Sequence, residues 1–192
     1  MRASALATRA LLISLTLFAA LPARAQSRPA DWAVPVEKPG LPNLARVSDW
    51  LWRGAQPTRE GVLELAKLHV RTIVDLRAYH SDAPLLAGTG ITLVRIPVHT
   101  GSPTLEQVIE FLRVISDENR RPIFVHCQHG ADRTGLMVAM YRVAMLGWDK
   151  QRAIAEMRDG GFGFHSIWQN LVRFILRMDV DLVRRSAKIA RP

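Results

Sequence analysis

Cysteine is almost missing from this chain: Cys127 is the only one in 192 residues, so no internal disulfide can form. The six histidines and the single cysteine show no zinc-ligand spacing, and neither a metal nor another cofactor is expected. Internal repeats and low-complexity tracts are lacking as well. The one long apolar run, Ala10 to Leu21, spans about 12 residues and is too short for a bilayer, which takes roughly 18 to 20. Acidic residues are scarce, 17 against 26 Lys and Arg, and the formal charge is +9. Such an excess favours anionic substrates or surfaces without specifying which.

What is present begins with "MRASALATRALLISLTLFAALPARA". Arg2 and Arg9 precede the apolar run, and Ala23-Arg24-Ala25 supplies small residues for cleavage, the layout of a secretory signal over residues 1–25. Its removal lowers the charge to +6 over 167 residues. The mature chain, with no transmembrane segment, is expected to be periplasmic or secreted. In an oxidising compartment structural cysteines occur in pairs, so a lone one is either a small buried hydrophobe or a retained nucleophile.

Residues 26–44, "QSRPADWAVPVEKPGLPNL", hold four prolines and no helical or strand period, and read as an extended segment lying on or outside the domain. A domain over 45–187 and a basic tail over 188–192 follow. "VSDWLWRGAQP" suggests a short strand or hairpin, and "TREGVLELAKLHV" a helix. "VRTIVDL", "ITLVRIP" and "PIFVH" read as buried strands; Thr104 and Gln107 form a capping box for the helix "LEQVIEFLRVISDE". Strands alternating with helices imply a single α/β domain with a mainly parallel central sheet and helices on both faces, its ligand at the carboxyl ends of the strands. "RTGLMVAMYRVAMLG" is apolar on nearly every side, as in a central buried helix. Asp149 starts a shorter helix, and Ile167, Leu171, Phe174, Ile175, Met178 and Leu182 lie on one stripe of a last one.

Cys127 sits in "VHCQHGADRTG", between the strand ending at His126 and the helix starting at Arg133. Backbone N–H groups in a tight loop at a helix N-terminus converge on an anion, and Gly130 permits the required backbone angles. The planar fork of Arg133 can hold two phosphoryl oxygens. The same N–H groups favour the Cys127 thiolate over the thiol, Thr134 can donate its hydroxyl to the sulfur, and His126 orients the loop through backbone hydrogen bonds.

His-Cys, five residues, Arg-Thr-Gly resembles the signature loop of the cysteine-dependent protein tyrosine and dual-specificity phosphatases. "WRGAQPT", "TIVDLR" and "GFGFH" look like the small bacterial dual-specificity-phosphatase-like proteins, so the resemblance covers roughly residues 46–178. It implies that Cys127 attacks phosphorus, that Arg133 binds the equatorial oxygens and that water hydrolyses a cysteinyl-phosphate without a metal. His126, Gln128, His129, Gly130, Ala131 and Gly135 would complete the phosphate loop, with Gln128, His129 and Ala131 on its rim. The proton donor departs from the pattern: most relatives carry an Asp roughly thirty residues before the Cys, whereas "RIPVHTGSPT" has no carboxylate. Asp132, placed like the loop Asp of myotubularin-type lipid phosphatases, is the expected acid, with His99 and Asp82 as alternatives. Asp75 reads as a strand residue, His165 as a structural histidine near the pocket mouth, and Arg53 and Arg77 as solvated or salt-bridged surface cations.

The expected partner is a phosphorylated protein or small molecule. Nucleic acid is not expected, and the tail makes at most weak contact with an anionic surface. Two rivals stand beside an exported phosphomonoesterase: a phosphate-recognising binding module with weak or lost catalysis, and a rhodanese-like sulfurtransferase using the same cysteine. Arg133 and Thr134 at phosphatase spacing speak against the latter.

Overall fold

The computed structural model describes residues 28–190; the signal-like residues 1–25 lie outside the described residues. Six strands form one sheet: β1 (Val34–Pro35), β2 (Ala45–Arg46), β3 (Leu51–Gly54), β4 (Thr72–Asp75), β5 (Thr92–Arg95) and β6 (Ile123–His126). Their spatial order is β1-β2-β3-β6-β4-β5. The β1/β2 and β2/β3 pairs are antiparallel, and β3, β6, β4 and β5 run parallel. The mainly parallel sheet and the hairpin expected at "VSDWLWRGAQP" are both present.

Side chains alternate across the sheet. On β4, Ile73 and Val74 enter different clusters, as do Phe124 and its neighbours Ile123 and Val125 on β6. Ile73 and Phe124 join Val62 and Leu65 of α1 (Arg59–Lys67) and Leu86 of α2 (Ala83–Leu86). Val74, Ile123 and Val125 join the larger core under α3 (Leu105–Ser116), α4 (Asp132–Leu146), α5 (Lys150–Asp159), α6 (Gln169–Arg177) and α7 (Val180–Ala187). Helices therefore cover both faces, with α4 buried on almost every side.

Local chemistry sets the helix starts. Thr104 accepts from the Gln107 N–H while the Gln107 side chain returns to the Thr104 N–H, the full capping box of α3. Asp149 caps α5 through the Arg152 N–H at 2.8 Å. The stripe from Ile167 to Leu182 does not form one helix. Asp179 accepts from the Leu182 N–H and starts α7, so the chain breaks after Arg177; Ile167 and Leu182 are exposed.

The proline-rich segment is more closely integrated than its composition suggests. Val34 and Pro35 pair with Arg46 and Ala45, Ala33 is fully buried, and its N–H donates to Glu156 Oε1 at 2.6 Å. Glu156 also receives Arg142 Nε and Nη2 at 2.8 and 2.9 Å, a buried ion pair joining α4, α5 and the N-terminal segment. No helix of the described residues is long and apolar enough to cross a membrane.

Register positions the site. Gly54 and Asp75 both lie opposite His126, so the carboxyl ends of β3, β4 and β6 finish side by side, and Cys127 is the next residue.

Candidate active site

Between His126 and Ala131 each backbone carbonyl has a polar partner, four of them from outside the loop. His126 O accepts from the Leu76 N–H at 2.9 Å, Gln128 O from Gln56 N–H at 3.3 Å, and His129 O from Asn43 Nδ2 at 2.9 Å. Gly130 O accepts from Arg53 Nη2 at 2.7 Å, Ala131 O from the Gly135 N–H at 2.8 Å, and Cys127 O lies 3.2 Å from His126 Nδ1. None of the N–H groups from Gln128 to Thr134 donates to an acceptor among the described residues. With its carbonyls occupied, the loop has its donors left for an anion, together with the N-terminal end of α4.

Gly130 is required here. Its φ is +68°, and a Cβ would fall 2.6 Å from the Ala55 nitrogen and closer still to the carbonyl group of Gly54, at the end of β3. Gly135 has a different task from the one expected: its N–H is spent on Ala131 O, and its missing Cβ makes room for Met157 of α5. Ala131 is buried, so only Gln128 and His129 form an exposed rim.

Cys127 is buried at 2 % exposure. Arg133 is half-buried and makes only long hydrogen bonds, to Leu76 O at 3.5 Å and Val98 O at 3.4 Å. It has no carboxylate partner among the described residues, so its fork is uncommitted. Thr134 is fully buried, and its hydroxyl makes no hydrogen bond among the described residues, including to the Cys127 sulfur.

Arg53 and Arg77 are buried rather than at the surface, and only Arg77 is salt-bridged. Arg53 has no exposed area; its guanidinium lies 3.8 Å from the centre of the Phe162 ring and props up Gly130 O. Burial lowers its pKa to about 10, with Glu156 and Cys127 acting in the opposite direction, and it stays protonated at neutral pH. Arg77 is buried between Asp75, at 2.8 and 2.9 Å, and Asp82. Asp82 Oδ2 also lies 2.7 Å from His126 Nε2. Asp75, Asp82 and His126 bring potential metal-ligand atoms together, yet the Arg77 guanidinium already binds both carboxylates and opposes a cation there.

This cluster bears on the proton donor. Burial alone would raise the Asp82 carboxyl; hydrogen bonding and charge from His126 and Arg77 outweigh it and hold the carboxyl below its ordinary value. A buried carboxylate held ionised does not suit proton donation. His99 is exposed, its ring edge-on to Tyr79 at 5.4 Å. Asp132 is 7 % exposed: Oδ1 accepts the His165 N–H at 2.9 Å, and Oδ2 lies 2.8 Å from His165 Nδ1. The His165 side chain is half exposed and meets the His129 ring at 5.7 Å. The structure therefore brings Asp132, His165 and His129 together at the loop rim and holds Asp82 beneath it.

Arg53 and Asn43 were missed as parts of the site because neither type, read in sequence, announces a donor to a loop carbonyl. The Trp-Arg-Gly at the end of β3 was the available signal. The carboxylate-free stretch is held in place by Gln107 Nε2 on Pro97 O at 2.6 Å and Asn170 Nδ2 on Thr100 O at 2.7 Å.

Comparison with known proteins agrees with this geometry. The family described as "DSP-PTPase phosphatase fused to NAD+ Kinase" matches residues 36–172. The dual specificity protein phosphatase TpbA of Pseudomonas aeruginosa (strain UCBPP-PA14) is 37% identical over 166 residues, covering 83% of this chain and 72% of that protein. The crystal structure of P. aeruginosa TpbA superposes with a TM-score of 0.76 at 34% identity, covering 84% of this chain and 99% of the other. A Cys-to-Ser form of TpbA in complex with pTyr gives the same TM-score at 33% identity, covering 85% and 100%. The core catalytic domain of a PP-IP phosphatase of S. cerevisiae shares the fold, with a TM-score of 0.67 at 22% identity over 77% of this chain and 93% of that one. The chain belongs to the dual-specificity branch of the cysteine-dependent protein tyrosine phosphatases, hydrolases of phosphoesters.

Proposed function

We propose that this chain is an exported phosphomonoesterase that works through a cysteinyl-phosphate, with phosphotyrosine and related phosphoesters as substrates. The observation that carries the reading is the loop itself: six carbonyls with partners, four of them outside the loop, and seven consecutive N–H groups without an acceptor among the described residues, beginning one residue after Cys127. Such a cradle holds a phosphoryl group while the sulfur faces phosphorus, and its N–H groups stabilise the charge on the equatorial oxygens in the transition state.

In the first step the Cys127 sulfur attacks phosphorus, an S–P bond forms and the ester P–O bond breaks. Arg133 spans two equatorial oxygens. The departing oxygen takes a proton from His165 Nε2, the ring being held by Asp132 through Nδ1. The role expected for Asp132 alone is thus divided: the carboxylate positions and balances the charge of the imidazolium, and the ring moves the proton. In the second step water attacks phosphorus and returns a proton to His165, the S–P bond breaks, and Thr134 offers its unclaimed hydroxyl to the leaving sulfur. No step requires a metal ion. That a relative is known in complex with pTyr supports an aryl ester among the substrates.

Export rests on the layout of residues 1–25. Intact-mass analysis of the secreted protein should find Gln26 first; full-length protein in the membrane fraction would make the segment an anchor. Catalysis is tested by phosphate release from an aryl phosphate in the presence of a chelator, comparing wild type with Cys127→Ser. Release by wild type alone is expected. Release by neither protein, with phosphate still bound, would favour a binding module instead.

A further inference from the structure

A groove of about 530 Å³ opens between the start of α3, the last turns of α6 and the first of α7. Leu105, Phe174, Met178 and Leu182 give it an apolar lining, while Arg173 and Arg177, one turn apart on α6, are exposed beside it. Neither arginine has a carboxylate within 4.0 Å among the described residues. The one carboxylate in the lining, Asp179, is committed to capping α7 through the Leu182 N–H at 3.0 Å. The groove therefore offers apolar surface with two uncommitted cations, which complements an acidic segment with an apolar side chain.

Position decides which acidic segment. Arg133 Nη1 reaches Val98 O at 3.4 Å, and Gly101, three residues further, lines the groove. Three residues of chain span at most about 11 Å. Asn170, which holds Thr100, lines the groove too, so groove and phosphate loop share one wall. Three flanking residues of an extended peptide span a comparable distance, so a peptide whose phosphorylated side chain sits in the loop can lay its neighbouring residues along this wall into the groove.

We infer that this groove is a substrate subsite for the acidic, apolar-containing segment flanking a phosphorylated residue, so that the enzyme reads polypeptide rather than an isolated phosphoester. The inference rests on the phosphatase reading for its kinetics but not for its binding. The test uses two phosphotyrosine peptides, one carrying Asp, Glu and Leu at the second to fourth flanking positions and one carrying Gly and Ser there.

Wild type should show kcat/KM about tenfold higher for the acidic peptide, and Arg173→Glu with Arg177→Glu should remove that advantage, leaving p-nitrophenyl phosphate hydrolysis within about twofold. Fluorescence anisotropy of the same peptides on Cys127→Ser, with and without the charge reversals, reads the subsite separately and should show the same tenfold difference. Failure of turnover with the binding difference intact would count against the phosphatase reading and leave the subsite standing. Equal binding of both peptides to Cys127→Ser overturns the subsite. So does a double variant that binds the acidic peptide normally but loses retention on anionic phospholipid vesicles, which would make the groove a membrane-facing surface.

Discussion

Replacing Gly130 by alanine separates the two demands the phosphate loop places on that position. The first is backbone conformation: φ +68° costs an alanine about 1 kcal/mol. The second is close approach, since the new Cβ would meet the Gly54 carbonyl and the Ala55 nitrogen, backbone that cannot rotate away. Relief requires the loop to lift, and the Arg53 bond to Gly130 O is then lost, a bond to a buried charge worth about 1.5 to 3 kcal/mol. The total is about 2.5 to 4 kcal/mol, or a Tm lower by roughly 5 to 16 °C for a domain of this size. Gly88 provides the control, with φ +78° and nothing within 4 Å of its virtual Cβ, so Gly88→Ala should cost only the conformational part, about 1 kcal/mol. Thermal melts of both variants, with p-nitrophenyl phosphate kinetics alongside, make the comparison. Gly130→Ala should lose at least about a hundredfold in kcat/KM, because lifting the loop by an ångström misdirects its N–H groups. Equal Tm losses for the two alanines, or near-normal kinetics for Gly130→Ala, would refute the close-approach argument.

Three further outcomes follow from the same geometry. His165→Ala and Asp132→Asn should each spare p-nitrophenyl phosphate, whose leaving group needs little protonation, and lose about 10² to 10⁴-fold on an alkyl phosphate; equal losses on both substrates would mean loop distortion instead. Glu156→Gln breaks the buried pair with Arg142 and should lower the urea midpoint by about 2 M, equivalent to 3 to 5 kcal/mol, while an unchanged midpoint would show the pair to be energetically idle. Because the fold holds the Asp82 carboxyl below its ordinary value, its stabilisation is present above about pH 4, where the unfolded chain ionises, and is lost as pH falls through the folded pKa. Asp82→Asn should therefore flatten the acid limb of a stability profile, and an unaltered limb would remove Asp82 from that role.

The parts of this molecule that could be read from its sequence are those whose cause is local. Thr104 and Gln107 build a capping box from residues three apart, Asp149 caps its own helix, and Cys127, Gly130 and Arg133 lie within one loop. Parts with a distant cause were not visible. Val34 and Pro35 become a strand only because β2 offers an edge, and proline-rich composition hides that. The break before α7 depends on Asp179 capping a new helix, which competes with the continuous apolar stripe. Arg53 shows no mark of burial in sequence; its place depends on Phe162 and Gly130, more than seventy positions away. The lack of a carboxylate between Arg95 and Thr104 was legible, but the contact between Asp132 and His165, 33 positions apart in the chain, was not.

Rapid acid quenching reads whether Cys127 carries the phosphoryl group. Wild-type protein mixed with an excess of aryl phosphate and stopped within milliseconds, then digested and analysed by mass spectrometry, should show a phosphate mass on the peptide containing Cys127. The label should disappear in Cys127→Ser along with phosphate release. Turnover persisting in Cys127→Ser, or the phosphate mass found on another residue of the wild type, would show that the phosphoryl group does not pass through Cys127.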